Sequence, residues 1–247
     1  MADYAVFKER AALPAALLRA PKLQANRRIL DEVTSKARLA ACGLPVPAGR
    51  VTDLAGLREA VARSTGAMVL KAVSDQLPHK TEAGAVALNL RGVDAIAAAG
   101  EEMLRRIRDR KPDLKIDRFL LEPMLEGAVA EVLVGVTIDP HFGAVLVIGA
   151  GGILVELLRD ASRLLLPATR GEIESAIRRL KTFPLLDGFR GRPKGDLPAL
   201  IDAIEAIARY AETNLATLAE IDVNPIMVLP EGRGVVAADA LIVEATA

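Results

Sequence analysis

Only two histidines occur in the 247 residues, and one of them, His79, stands in LPHKTEAGAV with Lys80 beside it. A neutral imidazole is a nucleophile, and an unperturbed pKa of roughly 6.5 leaves it largely neutral at cellular pH. Lys80 would screen an incoming phosphate, and Thr81 could cap a turn or donate to one. The plainer alternative is a histidine that satisfies a loop carbonyl. Lys71 lies inside the apolar run MVLKAV, where a bare ammonium is costly to bury, so it needs a counter-charge such as a nucleotide phosphate or an edge position from which to reach water. Glu131, in AEVLV, is either a ligand contact or the exposed face of an antiparallel strand. Glu122, Pro123 and Met124 end a strand where backbone groups could bond adenine, and a plain lobe connection fits them equally. His141, in DPHFG, reads as a turn residue between strands.

A metal site is suggested by register. EIDVNPIMV and GVVAADALIV are joined by LPEGR, so a simple hairpin centres its turn near Glu231 and Gly232. Residue 224 then lies opposite residue 239. Directly opposed side chains have Cβ atoms about 4.5–5.5 Å apart, so Asn224 and Asp239 could share one small ion, with Asp222 on the same face. One or two carboxylates, with water and phosphate completing the shell, suit magnesium held with a nucleotide. An ordinary polar strand end is the alternative.

Composition narrows the classes. Lysine plus arginine and aspartate plus glutamate balance at 32 each, so nothing global recruits nucleic acid or an anionic membrane. Hydrophobic residues make up 51% of the chain, enough to build a core. Cys42 is the only cysteine, which rules out an internal disulfide and is expected as a buried helix residue. The N-terminus makes a poor signal peptide and the longest uncharged run, residues 142–155, falls short of a spanning helix. A cytoplasmic protein is expected. No GxxxxGK[ST] occurs, and GAGGIL lacks the third glycine of GxGxxG, so neither a P-loop nor a Rossmann site is expected.

The elements that must position these residues follow from periodicity. A helix is expected after Asn26 as N-cap, stopping at Gly43, with a second short helix capped by Asp53 and running through Arg63. AMVLKAV and AVALNL read as strands around the histidine loop, and 93–110 as a helix. Strands RFLLEPM, AEVLVGV and GAVLVIG follow, then helices 170–180 and 196–213 and strands 217–228 and 235–243. Mixed blocks of this kind suggest an α+β fold with two lobes. The expected division is an arm over 1–25, a first lobe over 26–121 and a second over 122–247.

As a set, ACGLPVP, VLKAVSDQLPHKTEAGAV, VGVTIDPHFGAVLVIGAGGILVELLRD and EIDVNPIMV followed by VVAADALIV resemble the ATP-grasp β subunit of the NDP-forming acyl-CoA synthetases, such as ADP-forming acetate–CoA ligase. The resemblance spans about residues 27–243 and implies a two-lobed ATP-grasp fold. It implies that Lys71 contacts ATP phosphates, that Glu122, Pro123 and Met124 form the adenine hinge, and that Glu131 meets the ribose. Asn224 and Asp239 would hold Mg2+, and His79 would take the γ-phosphoryl group and pass it on. It further implies a separate CoA-binding α subunit with a second acceptor histidine, in a hetero-oligomer such as α2β2, the acid and CoA being bound through that subunit. Two departures stand out: Ala85 replaces a family glycine after the histidine loop, and no role transfers to Ser35 or Lys36, near which the family often has an acidic residue. A carboxylate–amine ligase acting without phosphohistidine, and a non-catalytic nucleotide-binding subunit of an acyltransferase assembly, remain the alternatives.

Overall fold

The structure, a computed structural model, describes residues 26–61, 66–77, 80, 83–152 and 160–246. The arm over residues 1–25, His79 and Glu156 lie outside the described residues. In chain order come β1 (Asn26–Ile29), α1 (Glu32–Ala41), β2 (Arg50–Thr52), α2 (Leu57–Val61), β3 (Met68–Ala72), β4 (Val86–Leu90), α3 (Val93–Arg110) and β5 (Phe119–Pro123). There follow β6 (Ala130–Asp139), β7 (Gly143–Ala150), β8 (Ala161–Leu165), α4 (Arg170–Arg178), α5 (Phe183–Leu186), α6 (Leu197–Thr213), β9 (Leu218–Val228), β10 (Val235–Ala237) and β11 (Leu241–Thr246).

Among the described residues the strands form two antiparallel sheets, one of seven strands in the order β1-β11-β9-β6-β7-β8 with β10 on β9, the other of four in the order β2-β5-β3-β4. Each sheet has its own apolar core. In α6, Leu200, Ile204, Ile207 and Ala211 recur at helical spacing and pack on Val132, Val134, Leu146 and Ile148 of the large sheet. In α3, Ile96, Met103 and Ile107 do the same over Leu70, Phe119 and Leu121 of the small sheet. Burying each such side chain contributes about 1.5–3 kcal/mol, so each core supports its own lobe.

The chain does not divide between lobes at one point. Strand β1 pairs with β11, and Leu30, Leu39 and Leu44 join the larger core, so residues 26–44 build into the lobe expected to begin at 122. Glu122 and Pro123, conversely, still belong to the small sheet. The helix expected from Asn26 also starts later. Asn26–Ile29 satisfies the backbone edge of β11, and Asp31 caps α1 by accepting the Thr34 N–H at 2.8 Å. The helix ends as expected, with Gly43 just beyond it at φ +104°, a conformation an L side chain resists. Cys42 is half-buried at that C-cap rather than inside the helix. Asp53 accepts the Gly56 N–H ahead of α2, which is described only to Val61.

Candidate functional site

A cavity of about 260 Å3 opens between the lobes, lined by Lys71, Glu122, Pro123, Met124, Glu131, Asn224 and Asp239 together with apolar side chains such as Val69, Val86 and Met227. All seven expected binding residues that the structure describes therefore meet in one place. Their distances along the sequence are bridged by two facts of register. Strands β3 and β5 pair with Val69 opposite Glu122, which sets Lys71 and Glu122 on neighbouring strands of the small sheet. On the other side, Ala237 opposes Ile226 and Leu241 opposes Asp222, so the alignment that places 224 across from 239 runs unbroken through the site. The expected hairpin register is observed. The last strand itself is interrupted at 238–240, and at that break the Ala238 N–H donates to the Pro225 carbonyl while its own carbonyl accepts from Lys71 Nζ at 2.7 Å.

Behind the cavity sits a cluster of three lysines and three carboxylates, all buried except Asp239, which is half-buried. Lys71 Nζ lies 2.6 Å from Glu32 Oε1 and 3.0 Å from Glu122 Oε2. Lys36 Nζ donates to both Glu122 oxygens at 2.7 and 2.9 Å and stands 2.8 Å from Glu32 Oε1. Lys80 Nζ donates to both oxygens of Asp239 at 2.9 and 3.0 Å and reaches Glu32 Oε2 at 3.1 Å, an ion pair without hydrogen-bond alignment. Charges this deep persist only when paired, because removing each from water costs several kcal/mol. The cluster also joins the lobes. Glu32, Lys36 and Asp239 come from the large one, and Lys71, Lys80 and Glu122 from the small one or its loop.

The environment moves the titrations as this pairing demands. Burial pushes Glu32 upward, but the ammonium groups of Lys71, Lys80 and Lys36 outweigh it and hold the carboxyl down to about 2. Burial presses Lys71 downward, and Glu32, Glu122 and Asp239 more than offset that, raising it above its ordinary value. Lys80 is likewise raised, against burial, by Asp239 and Glu32. Asp239 moves up, driven first by burial and then by the Glu32 carboxylate, with Lys80 and Lys71 opposing.

The counter-charge that Lys71 needs is thus supplied within the chain, not by an edge position. Glu122 spends its side chain on Lys36 and Lys71, and the Met124 N–H donates to the Ala67 carbonyl at 2.8 Å, so that amide is not free for a base. Glu131 is exposed at the rim, its carboxylate lying over Gly152, whose φ of +62° favours glycine there. The Gly152 N–H donates to Asn224 Oδ1 at 3.3 Å, which orients the amide oxygen while leaving it a second lone pair.

Ala85 fits without strain. Gly84 takes the positive φ of +70°, whereas Ala85 is fully buried, its N–H on the Lys80 carbonyl and its carbonyl on the Ala72 N–H. Asp160 accepts the N–H groups of Lys181 and Thr182 and the Thr182 hydroxyl, a structural cap. His141 sits in the turn between β6 and β7, as expected, where Asp139 accepts its N–H.

Glu32 and Lys36 carry weight that sequence reasoning did not give them. They sit at i and i+4 on one face of α1 with Ser35 and the buried Leu39. A charged pair on the apolar face of an otherwise ordinary helix was the available signal. Ser35 is structural, its hydroxyl donating to the Leu30 carbonyl and accepting the Ile242 N–H.

As potential metal donors, Asn224 and Asp239 offer an amide oxygen and a carboxylate, with no histidine or thiolate, a set that suits a hard cation sharing phosphate oxygens. Among the described residues no group of three or more His, Cys, Asp or Glu could hold a metal ion.

The ATP-grasp domain matches residues 22–243. The chain belongs to the ATP-grasp family. The β subunit of acetate–CoA ligase [ADP-forming] II from Pyrococcus furiosus is 33% identical over 90% of this ATP-grasp chain and 94% of that subunit. A crystal structure from Pyrococcus horikoshii superposes with TM-score 0.84 at 32% identity, covering 90% of this chain and 93% of that one. A Ca. Korarchaeum cryptofilum dinucleotide-forming acetyl-coenzyme A synthetase, solved with coenzyme A and Mg-AMPPCP and with its phosphohistidine segment pointing towards the nucleotide site, matches with TM-score 0.71 at 31% identity, over 86% and 91% of the two chains. Among the described residues no helix of this ATP-grasp protein is long and apolar enough to cross a membrane.

Proposed function

We propose that this chain is the β subunit of an ADP-forming acyl-CoA synthetase, binding Mg-ATP between its lobes and passing the γ-phosphoryl group through His79 to a CoA-binding α subunit. The observation that carries this reading is the convergence of Lys71, Glu122–Met124, Glu131, Asn224 and Asp239 on one inter-lobe cavity. Val69, Val86 and Met227 would offer the purine apolar walls, Glu131 at the rim would meet a ribose hydroxyl, and Lys71 would lend its charge to the phosphates. With the Met124 N–H on Ala67, the hinge would contribute shape rather than that amide. Asn224 and Asp239 would hold Mg2+, which supplies charge neutralisation along the β- and γ-phosphates.

In the first half-reaction a neutral His79 ring nitrogen donates its lone pair to the γ-phosphorus, the bond from that phosphorus to the β,γ-bridging oxygen breaks, and ADP leaves with the electron pair. Such transfers depend mainly on positioning and on charges aimed at the developing negative charge, which Lys71 can supply from a fixed place. On the partner the phosphoryl group would pass to a carboxylate, and the CoA thiolate would then displace phosphate from the acyl phosphate to give the thioester. Every step is reversible, so the pair could also make ATP.

The test is reconstitution with the CoA-binding partner, acetate, CoA and Mg-ATP. Acyl-CoA and ADP formed in equal amounts by wild type, and none by His79→Ala, is the expected result. ADP formed with an amine acceptor and independently of His79 would instead establish the carboxylate–amine ligase.

A further inference from the structure

Lys36 is buried and does not line the inter-lobe cavity, yet it holds the carboxylate that competes for Lys71. Lys71 opposes Leu120 and Val69 opposes Glu122, so Lys71 and Glu122 are diagonal neighbours on one face of the small sheet, and both line the cavity. An ammonium carries three N–H donors. On Lys71 two of them go to Glu32 Oε1 at 2.6 Å and to the Ala238 carbonyl at 2.7 Å. Glu122 Oε2, 3.0 Å from the same nitrogen, is an ion-pair partner and the nearest claimant for the third. Lys36 meanwhile donates to both Glu122 oxygens, at 2.7 and 2.9 Å. We propose that Lys36 is a positioning residue for the nucleotide: by holding Glu122 it keeps one N–H of Lys71 for a phosphate oxygen in the cavity. The proposal rests on the reading of Lys71 as a phosphate contact.

The pairing pattern makes Glu122 the route by which Lys36 acts. Among the described residues Glu32 pairs with Lys36, Lys71 and Lys80, whereas Glu122 pairs with Lys36 and Lys71 alone. Removing the Lys36 ammonium therefore leaves Glu32 with two cations and Glu122 with Lys71 as its one partner. The Glu122 carboxylate then takes the third N–H of Lys71, because a buried carboxylate is costly to leave unpaired. Its charge, no longer offset from α1, also bears on any phosphate in the cavity that it lines. Both effects weaken phosphate binding, and both vanish once Glu122 is uncharged. A lysine that merely added to the positive field, or merely supported the fold, would matter equally with or without that charge.

A double-mutant cycle on Mg-ATP binding to the full chain, measured by calorimetry per folded molecule, tests this. Lys36→Met binds Mg-ATP at least about tenfold more weakly than wild type, the scale of one hydrogen bond to a charged group. In the Glu122→Gln background the same substitution costs no more than about twofold. An equal loss in both backgrounds, or no loss in wild type, overturns the proposal. Lys71→Met separates it from the reading beneath it, and is expected to weaken Mg-ATP binding at least about tenfold. Weak binding by Lys71→Met with wild-type binding by Lys36→Met overturns the role of Lys36 and leaves Lys71 as the phosphate contact. Wild-type binding by Lys71→Met, or no Mg-ATP binding by any form, overturns both. Should Lys36→Met fail to fold, Lys36→Gln replaces it in both backgrounds, with a loss of about threefold in the presence of Glu122, whose oxygens the amide can still meet with a donor, and none in its absence. Equal losses in the two backgrounds, or none in either, refute the proposal there as well.

Discussion

The interiors of the two lobes and the seam between them are built on opposite principles. Inside each lobe, Leu, Ile and Val from consecutive turns of a helix meet alternate residues of the neighbouring strands, and the contacts are stabilising wherever shape allows. At the seam, six charged side chains pack against one another, five of them buried and Asp239 partly exposed to the cavity, and each depends on the rest for its charge balance. Apolar cores keep a lobe folded. A balanced charged seam keeps two lobes in register yet leaves cations and carboxylates that a nucleotide and its metal can recruit, which an apolar seam could not do.

The sharpest way to break this contrast is Glu32→Gln. It leaves three lysines facing two carboxylates and should cost about 3–5 kcal/mol in urea unfolding, as expected for a buried pair stripped of one partner. The pH dependence sharpens the point. A carboxyl held at about 2 against an ordinary 4.5 contributes stability that is complete above 4.5 and is lost as pH falls towards 2. Asp239, raised by burial and by Glu32, works in the opposite sense and relaxes when Glu32 is removed, so wild type minus Glu32→Gln across that window reads the Glu32 share net of its effect on Asp239; a difference that fails to shrink with acidification would sink the assignment. Next in size is Leu146→Ala in the large core, expected to cost about 2–5 kcal/mol while ATP affinity per folded molecule, measured by calorimetry, stays at the wild-type value. Smallest is Arg105→Ala. Its pairs with Glu102 and Asp109 lie on the exposed face of α3, and the melting midpoint should not move measurably.

The same contrast explains what was legible in the sequence. Core elements announce themselves locally: the helix over 93–110 and the strands around Lys71 and Val134 follow from periodicity, and the 224-to-239 register follows from one short connection. The seam is made of partners far apart in the chain, Lys36 with Glu122 and Lys80 with Asp239, and no local pattern marks them. Lys71 was visible as an anomaly in an apolar strand, but the identity of its partner was not, because Glu32 comes from a helix that joins the other lobe. Asn26 misled for a related reason: its neighbours are claimed by the free edge of β11, more than two hundred residues later, before any helix can start.

The most direct test of the account is transfer of γ-labelled phosphate from Mg-ATP to the purified chain, with and without the proposed CoA-binding α subunit, in wild type and His79→Ala. An acid-labile, alkali-stable label that is absent from the variant and discharged by ADP is the predicted result. Equal labelling of the variant, or no label even with the partner present, would contradict the phosphohistidine relay.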